Sequence, residues 1–278
     1  MFLGFMLIVF AVISTYSQAS LLNAKTVKKI GEKTKEQIAA DNDGPLPYGF
    51  IDDRDIVWSK VVWEVIDFNQ KINFPYYYPV DSTSSESKRA SLYNTLAHAL
   101  KGRKFKIYND SFFTSEKSEK DIKDNLKVRC QGDDFDYALK SIDVTAFKVK
   151  GMYYFDKRQG EMKYRLIAMA PMVPDLNAKY CLNIKSDELY ELYWIFYPEI
   201  RQILYDAKVF NPNNSSQPIS YDHLLNARRF NSTIVREENM YGNRKIEDYI
   251  RGNSLFQLLE ADRIKENIRN REMDMWNY

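Results

Sequence analysis

The sequence predicts an α+β protein: helices packed on a small antiparallel sheet built around a long hairpin, with a helical C-terminal tail. Three patterns carry that reading. Phe147, Val149, Tyr153 and Phe155 alternate with Lys148, Lys150, Met152 and Tyr154, and after residues 156–160 Met162, Tyr164, Leu166 and Ala168 resume the alternation. Period two marks strands, and a connection closed by Gly160 suits a longer hairpin turn. Leu92, Tyr93, Leu96 and Leu100 recur on one helical face, with Gly102 as the stop. Residues 189–197 are apolar on nearly both faces, which predicts a central strand, and Pro198 then opens a helix carrying Ile200, Ile203, Leu204 and Ala207.

Along the chain, residues 1–19 carry no charge and residues 2–13 are an apolar run. Ser17 and Ala19 have the small-residue spacing that a signal peptidase reads, so the expected cut falls between Ala19 and Ser20. A helix of that apolar length reaches about 18 Å, short of the ~30 Å hydrocarbon core, which favours a cleaved signal peptide over a membrane anchor. Residues 20–50 read as a linker, basic at first (Lys25, Lys28, Lys29, Lys33, Lys35) and rich in turn residues at its end. Asp52, Asp53 and Asp55 suit the first turn of a helix, and two helical rows, Val57–Val61–Val65 and Trp58–Val62–Ile66, extend that helix to Phe68 against the β-branched content. Pro75 and Pro79 bracket three tyrosines, which predicts an extended aromatic segment.

A second helix is expected over 86–101, and Phe105, Ile107 and Tyr108 begin a strand. Residues 211–216 read as a surface loop, and Ser220 as the cap of a short helix running to about Arg229. Ser254 and Gln257 have the form of a capping box for the last helix, which shows Leu255, Leu258, Leu259, Ile264 and Ile268. The expected units are a signal peptide over 1–19, the linker over 20–50, an α+β core over 51–210 and a helical C-terminal region over 211–278.

Composition narrows the function. The chain is 45% hydrophobic and 28% charged, which fits a folded domain, and a net charge of +2 gives no electrostatic case for nucleic acid. Cys130 and Cys181 allow one pairing; a bridge would be worth about 4 kcal/mol by loop closure, and two buried thiols are the alternative. His98 lies near the packed row of its helix and His223 beside Asp222 at a helix start, positions that suit packing and capping better than catalysis. The acidic turn of Asp133, Asp134 and Asp136 lacks the spacing of a calcium loop. No catalytic, cofactor-binding or metal-ligating residue is therefore assigned, and the rival class, an exported enzyme with an unrecognised site, has no motif to rest on.

Surplus aromatics point instead to an interaction protein. Trp58, Trp63, Phe74, Tyr76, Tyr77 and Tyr78 fall close together in sequence, and such side chains supply rigid contact area with a polar tip. In an extended chain Tyr76 and Tyr78 would point one way and Tyr77 the other.

Residues 55–80 resemble the signature of the GldN family (PorN in non-gliding relatives) of the Bacteroidetes type IX secretion system. The family pattern falls on Asp55, Ile56, Trp58, Ile66, Asp67, Asn73, Pro75, Tyr77, Tyr78 and Pro79, with Tyr76 standing where the family usually has leucine. The resemblance, to GldN or a GldN-like paralogue, implies a non-enzymatic periplasmic component that joins a GldK-like outer-membrane lipoprotein in a ring. That ring would work with the GldL–GldM motor, with no membrane span of its own and no cofactor.

Overall fold

The computed structural model describes residues 44–80, 89–118, 120–121, 127–130, 136–184, 188–209 and 219–275. The signal peptide and its cleavage site at Ala19 and Ser20, most of the linker, the acidic turn at 133–135 and the loop at 211–216 lie outside the described residues.

The predicted hairpin is the centre of the fold. Strands β5 (Ala146–Asp156) and β6 (Glu161–Pro174) pair antiparallel along nearly their whole length. Gly160 closes the turn with φ +65°, a conformation that glycine adopts without strain. Around it the seven-stranded sheet runs in the order β11 (Thr233–Glu237), β1 (Ile56–Asp67), β5, β6, β8 (Trp194–Phe196) and β2 (Ile107–Tyr108), with β7 (Leu189–Glu191) also paired to β6, and every pairing is antiparallel.

The helix expected over 56–68 is instead strand β1 (Ile56–Asp67), between β11 (Thr233–Glu237) and β5. Val62 and Ile66 are buried on one face and Trp63 on the other. β1 is covered on both faces around Val62–Glu64 and places apolar Val57 at an exposed position, so its polar alternation is lost and the apolar run fits helical rows equally well; β-branched residues and strand partners decide for strand. The acidic start survives as a single 3₁₀ turn, Asp53–Asp55, with the Asp52 side chain accepting from Arg54 N.

Residues 189–197 likewise do not form one strand. They divide into β7 (Leu189–Glu191), paired with the end of β6, and β8 (Trp194–Phe196), paired with β6 at Ala168 and Met169 and with β2 (Ile107–Tyr108). Leu192 N donates to Pro171 O at the junction. Two further two-residue or three-residue ladders, β3 (Lys127–Arg129) with β4 (Asp136–Ala138) and β9 (Lys208–Val209) with β10 (Ile219–Ser220), stand apart from the main sheet.

Seven α-helices are seen among the described residues: α1 (Phe74–Tyr77), α2 (Leu92–Lys101), α3 (Leu176–Cys181), α4 (Tyr197–Asp206), α5 (Tyr221–Asn226), α6 (Ile246–Tyr249) and α7 (Ser254–Met275). Ser91 and Ser220 cap α2 and α5 by accepting from Asn94 N and His223 N. The cap of α7 is Asn253, not Ser254: its Oδ1 accepts from Phe256 N, so the capping box read from Ser254 and Gln257 is one residue out of register. The stretch 211–278, read as helical, also supplies the edge strand β11.

One face of the sheet holds the main core, where Phe147, Val149 and Met169 meet Leu96, Ile200 and Leu204. On the same face α7 buries Ala261, Ile264 and Ile268 against Val62 and Ile234; each isoleucine contributes about 2 kcal/mol. The opposite face packs Trp63 against Ala168, Ala170 and Trp194, with Tyr108 and Phe113 over them.

Candidate interaction surface

The segment 73–79 is anchored at its start. Asn73 is fully buried; its Nδ2 donates to Asp67 O (2.7 Å) and Asn231 O (2.9 Å), and its Oδ1 accepts from Asn231 N (2.9 Å). These bonds tie the segment to β1 and to the chain before β11. Pro75 then sits in the first turn of α1, where its missing N–H costs nothing, so the segment is one helical turn rather than the extended run expected. The Tyr78–Pro79 bond is cis.

A turn distributes the aromatics differently from a strand. Tyr76 points inward, 1% exposed, packing near Tyr221 and Phe230 with its hydroxyl donating to Arg229 O (3.2 Å). Burial pushes its pKa far up. Tyr77 is half-buried against Phe68, its ring centroid 5.8 Å away. Phe74 and Tyr78, four residues apart, share the outer side, with centroids 5.5 Å apart edge to face and exposures of 38% and 53%. The expected grouping of Tyr76 with Tyr78 is thus corrected: helical geometry pairs Phe74 with Tyr78 and sends Tyr76 to the core. Exposed Ile72 lies one turn earlier.

Tyr78 and Pro79 continue into a cleft of about 210 Å³ lined also by Ala90, Lys208, Val209 and Tyr221. Tyr221 donates to Ala90 O (2.8 Å), fixing the cleft floor. Partial burial lowers the pKa of Lys208, whose ammonium lies 4.5 Å from the Tyr205 ring centroid.

The other sequence candidates do not converge here. Trp63 is buried on the far face of the sheet, with Nε1 donating to Ser111 Oγ (3.0 Å) and the Arg236 guanidinium 4.4 Å from its ring. Trp58 is half-exposed beside α7. His98 is exposed, off the buried row of α2, and His223 is exposed beside a buried Asp222 that bonds Tyr197, Arg201 and Asn226. Cys130 and Cys181 are joined, Cα–Cα 5.3 Å, linking β3 to the end of α3.

Among the buried polar groups, Glu64 and Asp222 each hold a distant cation that the sequence does not reveal. Glu64, fully buried on β1, takes Arg228 Nη2 at 2.9 Å and Ser232 Oγ at 2.6 Å. Asp222 takes Arg201 Nε at 3.0 Å and Tyr197 at 2.8 Å, while Arg201 also reaches Leu46 O and lies 4.1 Å from the Tyr48 ring. The end of the stretch read as a linker is therefore docked on the core. Their signals, a glutamate inside an apolar strand and a lone Asp beside His223, gain meaning only once the partners, more than twenty residues away, are in place.

Fold and surface together define an α+β protein whose buried ion pairs bind one element to another and whose exposed aromatics are held on an anchored turn. Among the described residues no helix is long and apolar enough to cross a membrane. The chain belongs to the GldN family: the family model described as "Gliding motility associated protein GldN" matches residues 51–277, the whole chain after the linker except its last residue. No curated protein sequence matches the chain.

Proposed function

We propose that the chain is a non-enzymatic structural component of a periplasmic ring in the type IX secretion and gliding motility machinery, held at the outer membrane by a GldK-like lipoprotein. The family match supports the machinery. The observation that carries the contact is the outward pair Phe74 and Tyr78, whose anchored turn lowers the ordering cost of binding. Export follows from cleavage between Ala19 and Ser20, which leaves the mature chain in the periplasm and dependent on its partner for membrane attachment. Closing a ring requires two different faces of each subunit to meet head to tail. The same assembly faces the GldL–GldM motor.

The test compares Phe74→Ala/Tyr78→Ala with Tyr76→Ala, measuring thermal melting and co-purification of the lipoprotein from the native envelope. The outer pair should melt within about 0.5 kcal/mol of wild type yet lose its partner. Tyr76→Ala should melt early, by about 3–5 kcal/mol. Retained assembly in the outer-pair variant would refute the assignment of this surface.

A further inference from the structure

We propose that the N-terminal half of β1, beside the C-terminal half of α7, binds an extended acidic segment of a partner protein by strand addition. β11 pairs with β1 only over residues 62–65, and the ladder ends where Glu238 N donates to Val61 O at 2.9 Å. Since β1 starts at Ile56, its first residues have β5 on one side and, among the described residues, no strand on the other. Backbone groups alternate in direction along an antiparallel strand, so the N–H and C=O of Ser59 point to the same side as the Val61 carbonyl, into that open edge. Among the described residues they take no partner there. An unpaired edge is a template for a further strand, and the position lies on the track that β11 leaves at Glu237.

The flanking surface specifies the occupant. Beside the edge lies a groove of about 180 Å³ between Trp58 and Lys60 of β1, Glu237 at the end of β11, and Ile264, Ile268 and Arg271 of α7. Trp58, Ile264 and Ile268 offer it an apolar wall. Lys60 and Glu237 neutralise each other at 2.7 Å, whereas Arg271 is exposed and forms no ion pair among the described residues. The groove thus carries one uncompensated positive charge. An added strand directs alternate side chains into it, so the fitting sequence places an apolar residue against Trp58 and a carboxylate two residues away against Arg271. The chain's own upstream segment, with Lys25, Lys28, Lys29, Lys33 and Lys35, has the opposite charge, which favours a separate partner. This edge is distinct from the Phe74–Tyr78 surface, and its variants leave that surface untouched, so the two assignments fail separately.

The probe is a short acetylated peptide alternating threonine with valine and glutamate, titrated into isotope-labelled mature protein while backbone amide shifts are followed. Binding should shift the Ser59 amide and protect it from exchange. Arg271→Glu should weaken binding about fivefold and favour a peptide with lysine in place of glutamate. A peptide N-methylated at the pairing positions should not bind, whichever charge it carries. No shift at millimolar peptide, shifts confined to other strands, or binding indifferent to N-methylation would overturn the proposal. So would concentration-dependent dimerisation through this edge that Arg271→Glu leaves intact, since a second copy would then be its occupant.

Discussion

Gly151 and Tyr164 meet across the central hairpin so closely that a methyl group on Gly151 would collide with the hydroxyl and ring of Tyr164. Tyr164 is partly buried there, its hydroxyl enclosed, with the Arg228 guanidinium 4.0 Å from its ring centroid. Gly151 also adjoins the register shift between β5 and β6, where a strand glycine often marks a bulge. Gly151→Ala should therefore destabilise by overpacking, by about 1–3 kcal/mol, read as a lower urea midpoint with unchanged slope. An unchanged midpoint would show that the tyrosine can move aside at no cost.

Arg228 links that contact to Glu64. It stands just past α5 with φ +50°, a left-handed conformation that a non-glycine residue adopts at a cost. There its guanidinium closes on the buried Glu64. Arg228→Ala would leave that carboxylate buried without its cation and should cost about 3–5 kcal/mol. Arg228→Gly loses the same pair but relieves the backbone, so it should be more stable than Arg228→Ala by about 1 kcal/mol. Equal denaturation midpoints for the two would count against a strained backbone at this position.

How legible the fold was depends on where each segment sits. α2 and α4 each expose one side, so their polar and apolar residues sort at the helical period. The hairpin strands are buried on both faces over much of their length, yet Lys148 and Lys150, buried with Glu191 and Ser111 O as partners, keep polar residues at alternate positions of β5. β1 is covered on both faces only around Val62, Trp63 and Glu64, and in its first half an apolar residue, Val57, stands at an exposed position, so no regular alternation survives. In 74–77 the prolines excluded a long helix but not a single turn, because Pro75 fits a helix start. Even so, the aromatic cluster is legible in the sequence; its partition into inward Tyr76 and outward Phe74 and Tyr78 follows from the helical turn. β11, a five-residue edge strand, carries too short a pattern to stand out in the sequence.

The Cys130–Cys181 bridge spans 51 residues and ties the small β3–β4 ladder to α3. Loop closure of that length is worth about 4 kcal/mol. Thiol labelling of denatured, unreduced protein should find no free thiol. The Cys130→Ser/Cys181→Ser variant should lose a large part of those 4 kcal/mol. Two labelled thiols in the unreduced wild type would contradict the bridge.

Alkaline pH should unfold this protein cooperatively. Tyr48 and Tyr180 are each pushed up to about 12, chiefly by burial, and Tyr76, Tyr93, Tyr153, Tyr197 and Tyr221 further for the same leading reason. An unfolded tyrosine titrates near ~10. A group whose folded pKa lies above its unfolded value contributes stability that is fully present below the unfolded pKa and is lost as pH rises through the folded one. Stability should therefore be insensitive to these groups below about pH 10 and fall steeply from there toward 12. Phenolate absorbance should rise in two phases, an early one from exposed tyrosines and a late one coincident with loss of secondary structure. Tyr48→Phe should leave the buried tyrosines' late phase in place while removing one group whose ionisation forfeits its hydrogen bond to Asn226 Oδ1. A single smooth titration centred near ~10, with the fold intact throughout, would contradict the burial of these tyrosines.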